Sequence, residues 1–334
     1  MNLNIISEIV HRRAGRHLIA RCLIVSVAVL TATSCSAQQD SKPMTFTYKK
    51  VGDLEIKADV YRPDDDKPRP VIVWIHGGAL IMGHREQVSS VIKKIADDEG
   101  YVLVSLDYRL APETQLPEII SDLEDAFTWI HEQGPKLFHA DTKHVIVAGG
   151  SAGGYLTLTA GFRASPRPTA LVAFWGYGDL VGDWYSKPSP HARHKTDATK
   201  EEAFQQVAGP PISDSRDRQG NGGTFYQYCR KSGTWPTAVS SWDPASEAEK
   251  FFPYMAVKNV TPDYPPTLLI HGTVDTDVPY EQSVMMAAEF KKHGVAHELI
   301  SIEGGEHGLG GGDPKAIEAA YEKVRQFIKE YATK

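Results

Sequence analysis

One serine in this 334-residue chain stands in a local sequence that constrains the fold more than any other feature. Ser151 lies at the centre of a Gly-Gly-Ser-Ala-Gly segment, residues 149–153, directly after an apolar stretch at 144–148 and directly before a helix-like stretch at 155–164. Glycines at these positions let a strand turn sharply into a helix, because a side chain there would collide with neighbouring backbone. The pattern predicts a nucleophile elbow that exposes the Ser151 hydroxyl at the end of a sheet. The alternative is a tight turn with an incidental serine.

Apolar strand-like stretches alternate with helical patterns along most of the chain. This alternation, with 41% hydrophobic and 23% charged residues, is typical of a globular α/β protein whose central sheet is mostly parallel and flanked by helices. In the last helical pattern, Tyr321 recurs with aliphatic neighbours at helical spacing and is predicted to face the core. Besides the elbow, the sequence predicts strands at 70–75, 101–105, 170–175, 266–270 and 298–302, and helices at 87–98, 116–131, 281–293 and 314–331.

A carboxylate and a histidine follow the serine in an order that suits nucleophilic catalysis. The strand 266–270 runs into His-Gly-Thr-Val-Asp, which ends at Asp275, and the strand 298–302 runs into a glycine-rich loop that carries His307. A serine hydroxyl is a weak nucleophile, so His307 is predicted to accept its proton, and Asp275 to orient the imidazole and stabilise its charged form. Asp277 is the alternative acid, but Asp275 lies closer to the strand end.

Small residues after the predicted strand 70–75 offer backbone donors for a developing oxyanion. The His-Gly-Gly-Ala sequence at 76–79 would let the N–H group of Gly77 or Gly78 approach a substrate oxygen. The N–H of Ala152, at the start of the helix after the elbow, would complete the oxyanion hole. This chemistry requires no metal and no cofactor.

The other histidines fit structural roles better than catalytic ones. His76 is interpreted as a loop organiser, because its ring would compete with the oxyanion donors for space, and His271 as a structural residue bonded to backbone. His191 and His194 lack a cysteine or carboxylate at ligand spacing, so they are predicted to be solvated rather than to bind a metal.

Taken together, these motifs resemble the α/β-hydrolase superfamily, specifically carboxylesterases of the hormone-sensitive-lipase-like and feruloyl-esterase-like kind. The resemblance covers residues 44–333 and includes the segment Asp-Tyr-Arg-Leu-Ala-Pro-Glu at 107–113. It implies an α/β-hydrolase fold, the order nucleophile, acid, base, and an Asp and an Arg in 107–113 that pin the loop beside the site. Ala79 stands where the family has a third glycine, and Gly150 where the lipase-like branch often has an acidic residue. These differences favour the broader esterase assignment.

Residues 177–264 interrupt the alternation just before the penultimate predicted strand. This segment is rich in Gly, Pro, Ser, Asp and aromatic residues and is too long for a simple connection, so it is predicted to be a lid or substrate-binding insertion. Trp184 and Tyr185, together with Ala79, are candidate pocket residues; the alternative is that the aromatic residues form the insertion's own small core. Residues 216–223 are predicted to form a mobile loop.

The first 37 residues have the pattern of an export signal, which predicts a periplasmic or extracellular protein. Arginines precede the apolar stretch 22–30, which is too short for a permanent membrane span, and small residues follow it. Cleavage after Ala37 would release a soluble protein, whereas cleavage before Cys35 would leave a cysteine for a lipid anchor. Cys229 would then be alone in the folded domain, so no disulfide framework is expected.

Charge narrows the range of partners. Loss of the first 34 residues removes four arginines and one glutamate and lowers the net charge from -6 to -9. A protein this acidic, without a basic aromatic patch, is not expected to bind nucleic acid. The sequence therefore predicts an exported serine carboxylesterase for short acyl or aromatic-acyl esters, either small molecules or esters on plant polysaccharides. The alternatives are a prolyl-oligopeptidase-type peptidase and a non-catalytic binding protein on a hydrolase scaffold.

Overall fold

An eight-stranded sheet forms the centre of residues 42–334, the part of the chain that the computed structural model describes. The spatial order of its strands is β1-β2-β4-β3-β5-β6-β7-β8. From β4 to β8 all neighbouring strands are parallel, and β1 and β2 form an antiparallel pair at one edge. The prediction of a mostly parallel sheet is confirmed. The strands are β1 (Met44–Val51), β2 (Leu54–Tyr61), β3 (Arg69–Ile75), β4 (Val102–Leu106), β5 (Ala140–Gly150), β6 (Ala170–Phe174), β7 (Thr267–Gly272) and β8 (His297–Ile302).

Ten α-helices occur within the described residues. Two of them, at 281–293 and 314–331, have the predicted bounds: Gly294, in the left-handed conformation, ends the first, and the Asp313 side chain caps the start of the second. The helices are α1 (Ser90–Glu99), α2 (Leu116–Phe138), α3 (Ala152–Arg163), α4 (Asp183–Ser186), α5 (Lys200–Gln205), α6 (Gly223–Ser232), α7 (Trp235–Ser240), α8 (Ala248–Phe251), α9 (Glu281–His293) and α10 (Pro314–Tyr331).

The helix α2 runs further than its sequence pattern predicts. It continues through Gly134 and Pro135, two residues that usually end a helix, and stops at Phe138. Phe138 is fully buried, and its ring centre lies 5.3 Å from that of Trp129. Burial of this ring stabilises the last turns enough to offset the hydrogen bond that Pro135 removes.

The sheet separates two hydrophobic cores because successive strand residues point to opposite faces. In β3, Val71, Val73 and Ile75 belong to the larger core, which also holds buried residues of α2, α3 and the insertion. Ile72 and Trp74 belong to the smaller core, against α1 and α10. Both faces of the central strands are thus covered, and the carboxyl ends of those strands form the rim on which a site can be built.

Residues between β6 and β7 form the insertion predicted before the penultimate strand, and they carry α4 to α8. Its centre is an aromatic stack in which the Tyr185 ring lies 3.9 Å from that of Trp235 and 3.5 Å from that of Trp184. Tyr177, at the start of the insertion, stacks on Tyr155 of α3. The insertion is therefore fastened to the main domain through shared aromatic packing.

Residues 42–334 contain neither a membrane-spanning helix nor a cluster of potential metal ligands. No helix in this range has the length and apolar character needed to cross a membrane. The same residues contain no group of three or more His, Cys, Asp or Glu side chains arranged to hold a metal ion. The predicted export signal and the lipid-anchor position Cys35 lie outside the described residues.

Candidate active site

Three parallel strands deliver the candidate catalytic side chains to one edge of the sheet. Ser151 directly follows β5, Asp275 follows β7 and His307 follows β8. Parallel strands place their carboxyl ends together, so residues far apart in sequence meet there. The topology thus brings the three predicted residues to a common rim.

The backbone at Ser151 has the strained geometry of a nucleophile elbow. Its φ of 57° and ψ of -121° lie outside the regions that ordinary residues adopt. A Cβ on Gly149 would lie 2.3 Å from the Gly153 carbonyl oxygen, and a Cβ on Gly153 would lie 2.0 Å from the Ile75 carbonyl oxygen. Both glycines are therefore required by the close approach of β3, β5 and α3, as the sequence predicts.

Asp275 and His307 form a hydrogen-bonded pair. Asp275 Oδ2 accepts a hydrogen bond from His307 Nδ1 at 2.8 Å, and Oδ1 accepts from the backbone N–H groups of Asp277 at 2.8 Å and Val278 at 2.9 Å. Burial disfavours the charged form of Asp275, but hydrogen bonds from His271 and His307 outweigh that effect and hold its pKa well below its usual range. An ionised carboxylate at this position holds the imidazole through Nδ1 and leaves Nε2 available for proton transfer.

Ser151 and His307 both lie beside Trp175. No hydrogen bond joins Ser151 to His307 within residues 42–334. The Trp175 ring centre lies 6.1 Å from that of His307, and its Nε1 lies 3.3 Å from the point where a Gly150 Cβ would be. Trp175 itself has an unusual positive φ of 36°. Its backbone N–H donates to the Ile270 carbonyl at 2.7 Å, which stabilises this conformation.

The loop after β3 lies against the elbow and is itself strained. A Cβ on Gly77 would lie 2.9 Å from the Gly150 carbonyl oxygen and 3.3 Å from Ser151 Cβ. Gly78, Ala79 and Leu80 then have φ values of 109°, 58° and 62°, a run that two non-glycine residues adopt only under restraint. This shape brings the backbone of Gly77 next to the serine, where a donor for an oxyanion has to be.

Hydrogen bonds from three other parts of the fold restrain this loop. Trp235 Nε1 donates to the Ala79 carbonyl at 2.9 Å, and the Ala111 N–H donates to the Leu80 carbonyl at 2.8 Å. Arg218 donates to the carbonyls of Ile81 and of Ala111. Ala152, the third predicted donor, is the first residue of α3, and the first N–H groups of a helix have no intrahelical partner.

Arg218 corrects the expectation of a mobile loop at 216–223. Its side chain is 3% exposed and forms an ion pair with Glu113, which is equally buried. The pair joins the insertion to the Asp-Tyr-Arg-Leu-Ala-Pro-Glu segment, so this part of the insertion is restrained. Sequence reasoning could not find this ion pair, because the two partners are more than 100 residues apart.

The Asp and Arg of the segment 107–113 do pin loops, but with separate partners. Asp107 accepts from Arg85 Nη1 at 2.8 Å. Arg109 donates to both oxygens of Asp122 in α2, each at 2.8 Å. These buried charges position the loops around the site and take no part in the rim itself.

Two of the other histidines have the structural roles that the sequence predicts. His76 is fully buried, its Nδ1 donates to the Gly77 carbonyl at 2.7 Å, and its ring stacks on Tyr108. Burial lowers the pKa of His76 to about 4. His271 Nε2 donates to the Val278 carbonyl at 2.9 Å and also lies 3.3 Å from Asp275 Oδ2.

The prediction that His194 is solvated is wrong. Its side chain is 1% exposed, and its Nε2 donates to Asp277 Oδ1 at 2.9 Å. The two residues are far apart in sequence, so ligand spacing could not indicate the contact. Asp277, the alternative acid, does not contact His307 Nδ1; that position belongs to Asp275.

The structure also corrects the predicted pocket residues. Tyr185 is 1% exposed, Trp184 is half-buried against it, and Ala79 is 5% exposed, so all three belong to the packing between the insertion and the main domain. This is the alternative that the sequence left open for the aromatic residues. None of the three lines the cavity that contains Ser151.

The cavity beside Ser151 has a volume of about 420 Å³. Tyr321, which periodicity assigned to the core, lines this cavity from α10, and Trp175 lines it from the end of β6. For Trp175, the one signal available in the sequence was its position as a large aromatic residue at the end of a predicted strand. The remaining lining residues are Gly77, Gly150, the start of α1 with the residues before it, and the rings of Trp74 and Phe174.

Comparisons with known proteins agree with this architecture. A family described as having the alpha/beta hydrolase fold matches residues 72–310. The chain is 30% identical over 336 residues to the non-reducing polyketide synthase adrD of Penicillium rubens, and the match covers 84% of this chain but 13% of the synthase. The chain thus spans about an eighth of the length of this relative.

Two solved structures show the same fold. A Staphylococcus aureus protein of unknown function has a TM-score of 0.69 and 24% identity, with 86% of this chain and 99% of that chain covered. An acetyl ester-xyloside bifunctional hydrolase of Caldicellulosiruptor lactoaceticus has a TM-score of 0.63 and 19% identity, with 86% and 96% covered. The predicted fold class and family resemblance are confirmed.

Proposed function

Because the chain belongs to the α/β-hydrolase fold family, we propose that it is a serine carboxylesterase that forms an acyl-enzyme on Ser151. The observation that carries the proposal is the Asp275–His307 pair on the same sheet rim as a strained serine elbow. A buried carboxylate that fixes an imidazole on the same rim as a serine hydroxyl is the arrangement that nucleophilic acyl transfer requires.

The reaction proceeds in two halves. In the first, His307 Nε2 takes the proton of Ser151 as Oγ attacks the ester carbonyl, and the same nitrogen then protonates the departing alcohol. In the second, water attacks the acyl-enzyme with His307 as base and releases the acid. Asp275 remains ionised in both halves and stabilises the imidazolium.

Backbone donors stabilise the tetrahedral intermediates. The oxyanion accepts hydrogen bonds from the N–H of Ala152 and from that of Gly77 or Gly78, each contributing about 3 to 4 kcal/mol. The Trp235 and Arg218 hydrogen bonds hold the loop that carries two of these donors, so they need no rearrangement during the reaction.

The cavity beside Ser151 supports short acyl or aromatic-acyl groups as the acid half of the substrate. Its volume of about 420 Å³ and its aromatic walls suit a small apolar or planar group. The acetyl ester-xyloside hydrolase among the structural relatives supports an ester carried on a carbohydrate. We assign the substrate as a small-molecule or polysaccharide-linked ester.

Export is part of the same proposal. Residues 1–37 carry the signal pattern, with Cys35 or Ala37 at the cleavage position. The mass of the mature amino-terminal peptide tests it: a chain that begins at a lipid-modified Cys35 is anchored, one that begins at Gln38 is released, and one that retains Met1 is not processed.

Hydrolysis of p-nitrophenyl esters, from acetate to decanoate, tests the activity. The protein is expected to cleave the short esters, and Ser151→Ala to lose about a thousandfold or more. Ser246→Ala, at an exposed serine of the insertion, is the matched control and is expected to retain wild-type activity. Equal activity in the wild type and Ser151→Ala would contradict the assignment of the nucleophile.

A further inference from the structure

The nitrogen of His307 that transfers protons, Nε2, lies near a second carboxylate. Because Nδ1 is bound to Asp275, Nε2 is the nitrogen that exchanges a proton with Ser151 and with the leaving alcohol. Asp277 Oδ2 lies 3.8 Å from this Nε2. An alcohol that takes a proton from Nε2 therefore passes beside Asp277.

Asp277 has one oxygen fully bound and the other available. Oδ1 accepts hydrogen bonds from His194 Nε2 and Arg230 Nη1, both at 2.9 Å, and from the Tyr226 hydroxyl. Oδ2 accepts no hydrogen bond from any residue between 42 and 334, and its polar neighbours are the Arg193 guanidinium and the His307 imidazole. Burial opposes ionisation of Asp277, but the bond from His194 and the charge of His307 hold its pKa well below its usual range. Oδ2 is thus a charged acceptor.

The insertion fixes the position of this acceptor. Arg230 of α6 is 2% exposed, and its guanidinium lies 4.8 Å from the centre of the Tyr185 ring and 5.6 Å from that of Trp184. A buried cation between aromatic faces and a carboxylate is costly to displace, so the Asp277 side chain cannot turn away from His307. The two aromatic residues that the sequence assigned to a pocket wall act here, as support for Arg230.

Arg193 provides a hydrogen-bond donor next to Asp277 Oδ2. Its Nη2 lies 3.7 Å from Asp277 Oδ2, its Nη1 donates to Glu306 Oε2 at 2.9 Å, and its side chain is 37% exposed. A donor and a charged acceptor this close suit a hydroxyl group, which accepts from one and donates to the other. The cavity on the Ser151 side is different in character, since aromatic rings line it.

We propose that Asp277 Oδ2 and Arg193 form the subsite for the leaving alcohol and select esters whose alcohol carries a hydroxyl next to the ester, as partly acylated sugars and other polyols do. The proposal rests on the proposed ester hydrolysis and specifies the alcohol half of its substrate. The substrate hydroxyl donates to Asp277 Oδ2 and accepts from the Arg193 guanidinium, while the acyl group occupies the aromatic cavity.

Two acetates that differ by one group test this assignment. In 2-hydroxyethyl acetate a hydroxyl stands where propyl acetate has a methyl, and the acyl group is the same. The wild type is expected to favour the hydroxyl ester in kcat/KM by about tenfold or more, the effect of one hydrogen bond to a charged group. Asp277→Asn and Arg193→Gln should each lose most of that preference. The ratio of the two esters cancels any effect of either variant on His307 that both esters share.

Asp53→Asn is the matched control, because Asp53 is exposed in the turn between β1 and β2 and should keep the wild-type ratio. Equal kcat/KM for the two esters in the wild type, or a ratio that both site variants retain, overturns the subsite. If Asp277→Asn does not fold, the exposed Arg193→Gln decides alone. If the wild type hydrolyses neither p-nitrophenyl acetate nor either of the two esters, that result would contradict ester hydrolysis itself.

Discussion

Replacing Trp235 by phenylalanine removes one hydrogen bond that holds the strained oxyanion loop. Trp235 is fully buried and donates to the Ala79 carbonyl at 2.9 Å, while its ring stacks on Tyr185. Phenylalanine keeps the stacking and loses the donor. The Ala79 carbonyl then remains buried without its partner, one residue from Gly78.

The cost follows from two contributions. An unsatisfied buried carbonyl costs about 1 to 3 kcal/mol. The smaller ring leaves about 40 Å³ empty, which at about 24 cal/mol per Å³ adds about 1 kcal/mol. The roughly 290 described residues unfold with an entropy of about 0.6 kcal/mol/K, so a loss of about 2 to 4 kcal/mol lowers Tm by about 3 to 7 °C.

Activity should fall as well, because the backbone of Ala79 can relax out of its left-handed conformation and carry Gly78 with it. Loss of one oxyanion donor costs about 10² to 10³ in kcat, so a displaced donor is expected to cost about tenfold or more, with KM little changed. Calorimetry gives Tm, and steady-state kinetics on p-nitrophenyl acetate at 25 °C give kcat for the folded variant.

Trp242→Phe is the control, since this half-buried tryptophan packs on Phe251 and Tyr254 in the same insertion, away from the loop. It is expected to lower Tm modestly and leave kcat unchanged. If Trp235→Phe also lowers Tm but keeps the wild-type kcat, the Trp235 hydrogen bond stabilises the fold without positioning the oxyanion donors, which would refute this prediction.

Three further predictions concern the acid, the elbow and the response to pH. Asp275→Asn should lower kcat on p-nitrophenyl acetate by about 10⁴, and Asp277→Asn by far less; the reverse order would make Asp277 the acid. Gly153→Ala would place a Cβ 2.0 Å from the Ile75 carbonyl and should cost about 1 to 3 kcal/mol or more, whereas Gly209→Ala meets open space; equal urea midpoints would refute the packing of the elbow. The unfolded state protonates His76 below about pH 6.5, but the folded state keeps it neutral to about pH 4, so unfolding free energy should fall by about 3 kcal/mol as pH drops through that window. His76→Asn should lose this part of the slope in guanidinium titrations, and an unchanged slope would show that other groups cause it.

Local sequence predicted the parts of the site that local sterics determine. The glycines around Ser151 are needed by the contacts of three neighbouring elements, and a position that excludes every side chain leaves a readable pattern. The parallel sheet followed from alternation, and it explains why residues after β5, β7 and β8 share one rim. The antiparallel strands β1 and β2 were missed, because β1 is half exposed and lacks a clear apolar run.

Contacts across long sequence separations were not predictable. The pairs Arg230–Asp277 and Arg218–Glu113 join the insertion to the main domain, and nothing near either partner indicates the other. The aromatic residues of the insertion could be assigned either to a pocket wall or to the insertion's own core. Composition shows that these side chains are apolar, but it does not show which surface they pack against. Tyr321 was assigned to the core for the same reason: helical spacing gives a face, and only the fold shows that a cavity adjoins it.

In the proposed reaction, Ser151 carries the acyl group during ester hydrolysis. Rapid acid quench of the protein with excess p-nitrophenyl acetate, followed by peptide mass analysis, detects this acyl-enzyme. One added acetyl group is expected on the peptide that contains Ser151 during turnover, and none on the same peptide of the Ser151→Ala protein. Turnover with no acetyl group on that peptide, or an adduct on another residue that survives Ser151→Ala, would contradict the proposed reaction.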